Sequence, residues 1–196
     1  MRMPLSLASP ARRALLSALV VATLMTGFIA FQIESRASIL RNGTEVLLRT
    51  APVDPRDLMR GDYVILSYDI GRIPLELLSA DKGKSGWGSV WVRLKPADDG
   101  YWQAAEASFE PLYSKEGSAV IRSQTFDRRD PAEAYGDYRL DYGIERFYVP
   151  EGEGLAIEEA RNEQRVSVVV RVSASGVAQI RSLMLDGTAI YDEPLY

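Results

Sequence analysis

Gly61-Asp62-Tyr63-Val64-Ile65-Leu66-Ser67-Tyr68-Asp69-Ile70-Gly71-Arg72 is echoed further along the chain by Gly136-Asp137-Tyr138-Arg139-Leu140-Asp141-Tyr142-Gly143-Ile144-Glu145-Arg146. The echo keeps Leu-x-Tyr-x-Ile-x-Arg intact and drops one residue between the Gly-Asp-Tyr and the Leu. In an extended strand side chains alternate, so Leu66, Tyr68 and Ile70 share one face, as do Leu140, Tyr142 and Ile144. Two such faces are expected to meet in a shared core. The echo is read either as a diverged duplication, with related halves at about 43–113 and 118–196, or as two similar solutions to one local geometry.

The surroundings extend the β reading. Short segments rich in Val, Ile, Tyr and Trp recur from Thr44 to Arg49, Tyr63 to Ile70, Ser89 to Leu94, Tyr101 to Phe109, Ala119 to Phe126, Tyr138 to Val149, Val166 to Val172, Gly176 to Leu185 and Thr188 to Tyr191. Turn formers separate them, and Ala174-Ser175-Gly176 and Asp186-Gly187 predict tight antiparallel hairpins. One helix is predicted from Glu153 to Asn162, where Leu155, Ile157 and Ala160 fall at helical spacing after Pro150. The expected fold is mainly β, an antiparallel barrel or sandwich-like domain with one short helix.

The N-terminal end is different. From Ala14 to Ile33 no side chain is ionisable, over the length that an α-helix needs to cross about 30 Å of hydrocarbon. Arg12 and Arg13 precede the segment and the first acid, Glu34, follows it. The positive-inside bias therefore predicts a cytoplasmic N-terminus at 1–13, a transmembrane signal anchor at 14–33, and an extracytoplasmic domain at 34–196. That domain is expected on the periplasmic side of an inner membrane. A cleaved signal peptide is the competing reading, but the small-x-small pair Ser35-Arg36-Ala37 sits among charges.

Composition narrows the chemistry. Hydrophobic residues make up 46% and charged residues 26% of the 196, which describes a foldable chain rather than a disordered one. Cysteine and histidine are both absent, so Ser-His-Asp, Cys-His and His- or Cys-based zinc chemistry is closed to the residues of this chain. Formal net charge is -4, and because residues 1–33 carry three arginines and no acid, the remainder sets 20 of the 23 basic side chains against all 27 acidic ones. An acidic domain is poorly suited to nucleic acid, whose phosphates require a concentrated basic patch. Asp54, Asp57, Asp62, Asp127, Asp130 and Asp141 lack the alternation of a calcium loop and are read as a solvated acidic surface. No metal and no cofactor is expected.

Gly61 and Asp62 follow Pro55 and precede an apolar run, the setting of a turn that fixes strand register. A sharper reading pairs Asp62 and Asp137 with Arg72 and Arg146 as half-buried bidentate ion pairs. Arg60-Gly61-Asp62 also spells an adhesion tripeptide, a chance match among common residues. Trp87, Trp91 and Trp102 with Tyr101 and Tyr113 make an aromatic-rich middle, read as strand core in preference to a sugar or peptide platform.

Gly61, Asp62, Tyr63, Leu66 and Tyr68 match every defined position of the motif after which a bacterial family of membrane-anchored proteins, the GDYxxLxY proteins, is named. The chain resembles that family in its layout of a short N-terminal membrane segment followed by an outer domain. The resemblance implies no biochemical activity and points to a multi-spanning membrane protein as partner. The candidate interaction residues are then Gly61, Asp62, Tyr63, Leu66, Tyr68 and Arg72 with Gly136, Asp137, Tyr138, Tyr142 and Arg146. A more distant similarity is to the β-fold of type I signal peptidases, whose Ser-Met-x-Pro-Thr-Leu-x-x-Gly-Asp segment resembles Pro55 to Val64 with one extra residue. Pro52 stands where the nucleophile would be, and Lys82, Lys84, Lys95 and Lys115 lie in polar surroundings, so such a domain would be catalytically degenerate.

The expected function is a non-catalytic binding or assembly module, anchored in the membrane and accessory to a polytopic partner. The alternatives are an envelope peptide- or glycan-binding domain, a degenerate signal-peptidase-like domain, and a hydrolase built on a carboxylate pair.

Overall fold

The structure is a computed structural model that describes residues 10–52, 63–78, 86–127 and 136–194. Contacts divide the chain into two compact units, Met1–Ser38 and Ile39–Tyr196. The first is most of a long helix, α1 (Pro10–Asn42), whose apolar side chains from Leu15 to Ile33 are exposed. By length and composition this one helix, among the described residues, suffices to cross a membrane.

The second unit is mostly strand, in antiparallel sheets. It begins with β1 (Thr44–Ala51), where alternation turns Val46, Leu48 and Thr50 inward. The quoted segment then supplies β2 (Tyr63–Ile65), β3 (Ser67–Tyr68), a 3-10 turn (Asp69–Gly71) and β4 (Arg72–Pro74). After it come β5 (Trp87–Gly88), the pair β6 (Trp91–Pro96) and β7 (Trp102–Ser108), then β8 (Ala119–Arg122) and β9 (Phe126–Asp127). The echo supplies β10 (Asp137–Arg139) and β11 (Arg146–Tyr148). The chain then forms α2 (Gly154–Asn162), β12 (Val166–Val172), β13 (Ala178–Leu185) and β14 (Thr188–Asp192).

A five-stranded sheet has the order β14-β13-β12-β1-β3, and a three-stranded sheet the order β7-β6-β8. The predicted tight turns are present: Asp186 and Gly187 both take positive φ at the β13–β14 connection, as an Asp-Gly hairpin requires. The helix falls one residue inside its predicted start. Two predicted long strands, Tyr63 to Ile70 and Tyr138 to Val149, are each broken instead into short pieces, because the middle of each segment leaves its partner strand to join another part of the domain.

That break organises the core. Segment 63–75 runs antiparallel to segment 136–148 as one ribbon, with Val64 opposite Phe147 at one end and Ile73 opposite Tyr138 at the other. The middle is open. There Thr50 and Ala51 of β1 take Tyr68 and Ser67, while the Asp141 carbonyl accepts from the Gln124 amide, just beyond β8. The ribbon thus ties the two larger sheets together. Leu66, Tyr68, Ile70, Leu140, Tyr142 and Ile144 are all buried, so the two alternating faces do meet in one core.

Candidate functional site

The ribbon has a local two-fold relation, written in its hydrogen bonds. The Leu66 amide donates to the Glu145 carbonyl at 2.8 Å, and the Leu140 amide donates to the Gly71 carbonyl at 2.9 Å. The Tyr68 hydroxyl donates to the Ile144 carbonyl at 2.7 Å, and the Tyr142 hydroxyl to the Ile70 carbonyl at 2.6 Å. Each segment's tyrosine therefore closes the other segment's turn. Both hydroxyls are fully buried and both phenol pKa values are raised, first by burial and then by the nearby Glu145 carboxylate.

The same relation fixes which residues correspond. Tyr63 opposite Tyr148 is matched by Asp137 opposite Pro74, and Ile65 opposite Arg146 by Arg139 opposite Arg72. Asp137 therefore occupies the place of Tyr63, and the second Gly-Asp-Tyr is slid by one residue although Leu-x-Tyr-x-Ile-x-Arg is in register. A one-residue slide reverses the face a side chain points to. Tyr138 accordingly packs inward against Phe109 and Phe126, at 5.7 and 5.8 Å between ring centroids, while Tyr63 lies beside the exposed Tyr148 at 5.9 Å.

The candidate residues thus separate. Leu66, Tyr68 and Tyr142 are in the core, Tyr138 is half-buried against it, and any part they play in a contact is through the shape they maintain. Tyr63 and Asp137 are half-buried, and Arg72, Arg146 and Gly136 are exposed. Gly61 and Asp62 lie outside the described residues, as does Asp62's half of the predicted ion-pair scheme. Its other half is corrected: among the described residues no ion pair joins Asp137 to Arg72 or Arg146, because the slide sets Asp137 opposite Pro74. Arg146 instead lies over the Tyr63 ring, 5.8 Å from its centroid. The aromatic middle divides too. Trp102 packs partly on the core, Trp91 is half-buried, and Trp87 is 73% exposed.

A cleft of about 290 Å³ occupies the opening at the ribbon's centre. Arg72, Arg139, Asp141, Glu145 and Ser67 supply its polar groups, over a floor that includes Leu66 and Leu140. Arg72 and Arg139 face each other directly across β4 and β10. The hydrogen-bonded pairs Gly71–Leu140 and Leu75–Gly136 lie one and three positions to either side, which makes Arg72–Arg139 a non-hydrogen-bonded pair, where side chains approach most closely. The Glu145 carboxylate is held by two backbone amides, those of Tyr142 and Gly143, the latter at 2.8 Å. Arg139 and Glu145 were not singled out from sequence, and Asp141 was read there only as part of a solvated acidic surface. Alternation turns Asp141 and Glu145 away from the core, but only the ribbon's pairing brings them to Arg72.

Behind the ribbon, Arg161 of α2 is fully buried and donates to the Ile65 carbonyl and to Asn162. Burial lowers its pKa, and Glu158, 3.9 Å away, partly opposes that. Its charge holds α2 against β2. The helical spacing of Leu155, Ile157 and Ala160 gave no sign that an arginine would be buried beside them.

A family model described as GDYXXLXY protein matches residues 25–183, which is most of the chain. No curated protein and no solved structure matches it.

Proposed function

We propose, from the premise that the chain belongs to the GDYXXLXY protein family, that it is a non-catalytic assembly module held at the outer face of a cytoplasmic membrane and accessory to a multi-spanning membrane protein. The supporting observation is α1. Leu16, Leu19, Val20, Leu24, Phe28 and Ile33 are each more than half exposed, in a helix that is apolar all round. Such a helix needs lipid or other transmembrane helices to cover it. Arg12 and Arg13 at its start and Glu34 near its outer end favour a cytoplasmic N-terminus and a periplasmic domain.

The motif supports a scaffold role, since its Leu66 and Tyr68 are spent on the core and leave the outer surface of the ribbon to vary. Affinity purification of the full chain from gently solubilised membranes, with identification of what accompanies it, is the test. A stoichiometric multi-spanning protein is expected, lost when α1 is exchanged for an unrelated anchor. Recovery of the chain alone under several detergents overturns the reading. Fusion of a reporter that matures only outside the cytoplasm to the C-terminus tests the orientation, and an inactive reporter on a stable chain refutes it.

A further inference from the structure

The cleft at the centre of the ribbon breaks the local two-fold relation in a directed way. Inward positions are kept, with Leu66 matched by Leu140, Tyr68 by Tyr142 and Ile70 by Ile144. At the cleft, by contrast, Ile65 is matched by Arg139, Ser67 by Asp141 and Gly71 by Glu145. One segment thus brings three charges to a shared opening, and the other brings Arg72.

These charges are not consumed within the protein. Arg72 and Arg139 are like charges at the closest kind of cross-strand pair, an arrangement that costs stability. No carboxylate lies within ion-pairing distance of either among the described residues, although the domain is acidic and Asp141 and Glu145 line the same cleft. Glu145 is pinned by two amides, yet a carboxylate has about four acceptor sites, so capacity remains. Positive and negative groups are therefore held apart, two against two, over an apolar floor. A dianion would gain from the arginines and lose to the carboxylates, and a simple cation the reverse.

We propose that this cleft binds a small neutral zwitterion bearing one carboxylate and one ammonium group, an amino acid or the ends of a very short peptide. The carboxylate sits between the Arg72 and Arg139 guanidinium groups, and the ammonium is directed to Asp141 and Glu145. Planar guanidinium groups suit a carboxylate through paired N–H donors. At about 290 Å³ the opening is at the lower limit of small-molecule sites, in keeping with a ligand of this size. The assignment stands apart from the assembly reading and survives its failure.

Calorimetric titration of the full chain in lipid nanodiscs tests it, with glycine, L-alanine, D-alanine and glycylglycine as probes. N-acetylglycine, which lacks the ammonium, and glycinamide, which lacks the carboxylate, are the controls, beside glycerophosphoethanolamine and inorganic phosphate. At least one amino acid or the dipeptide is expected to bind, with each blocked control weaker by about tenfold or more. Arg139→Gln is expected to weaken the zwitterion about tenfold while leaving glycinamide unchanged, and Asp141→Asn to weaken it while leaving N-acetylglycine unchanged. Both positions are exposed, so melting temperatures report that the fold persists. Free amino acid and dipeptide differ in the separation of their charges, and their relative affinities distinguish the source. Absence of binding by every amino-acid zwitterion, preference for glycerophosphoethanolamine or phosphate, or affinities indifferent to both substitutions would overturn the proposal.

Discussion

Tyr68 and Tyr142 each spend a buried hydroxyl on a main-chain carbonyl of the opposite segment. Replacing either by Phe keeps the ring and strands the acceptor, at a cost of about 1–3 kcal/mol. Chemical denaturation of Tyr68→Phe and Tyr142→Phe should therefore show losses of similar size, and a neutral effect at either would contradict the reciprocal arrangement. The same groups set a response to alkali. Both phenols have raised folded pKa values against an unfolded value near 10. Below that value both states are protonated and stability is unaffected; above it only the unfolded state ionises, so stability falls as pH rises. Unfolding followed across the alkaline range should show this decline, and the double Phe variant should show less of it.

Among the elements, the junction of α1 with β1 is closely packed around Gly43. The Gly43 amide donates to the Ile39 carbonyl at 2.8 Å, and its own carbonyl accepts from Arg171 at 3.0 Å. A Cβ at this position would stand 2.6 Å from the Ile39 oxygen and 3.1 Å from both the Arg171 Cβ and the Val172 amide nitrogen. Main chain cannot yield as a side chain can, so Gly43→Ala should destabilise the domain by about 1–3 kcal/mol. Thermal melting reads it, and an unchanged melting temperature would mean the junction is looser than it looks. The hairpins also correspond. Val92 of β6 lies opposite Ala107 and Ile121, Val168 of β12 lies opposite Leu183 and Leu48, and both hairpins carry a register shift shortly after that position.

At the scale of the whole molecule, those pairings cross. β1 precedes the first segment and pairs with β12, which follows the second; β8 precedes the second and pairs with β6, which follows the first. Neither 39–113 nor 114–194 can then complete its sheet alone. Each fragment is expected to be unfolded by itself and the two, co-expressed and cut in the exposed 114–117 loop, to recover the strand signal of the intact domain. Independent folding of either fragment would refute this, and the test reads sheet pairing without reference to function.

The sequence by itself determined what depends on local pattern. Twenty residues without a charge dictate a helix long and apolar enough to cross a membrane, alternation in Leu66-x-Tyr68-x-Ile70 dictates a buried face, and Asp186-Gly187 dictates a hairpin, because each rests on the geometry of a few consecutive residues. The candidate site was legible only in part, and the Gly-Asp-Tyr echo misled. Its second copy is slid by one residue, and a slide of one is invisible in composition yet reverses every side chain. Only the tertiary structure decided that Arg139, Asp141 and Glu145 share a cleft with Arg72, and that Arg161 is buried against Ile65. Those meetings are made by antiparallel pairing between segments far apart in the chain, and which edge meets which is set by the packing of the entire core.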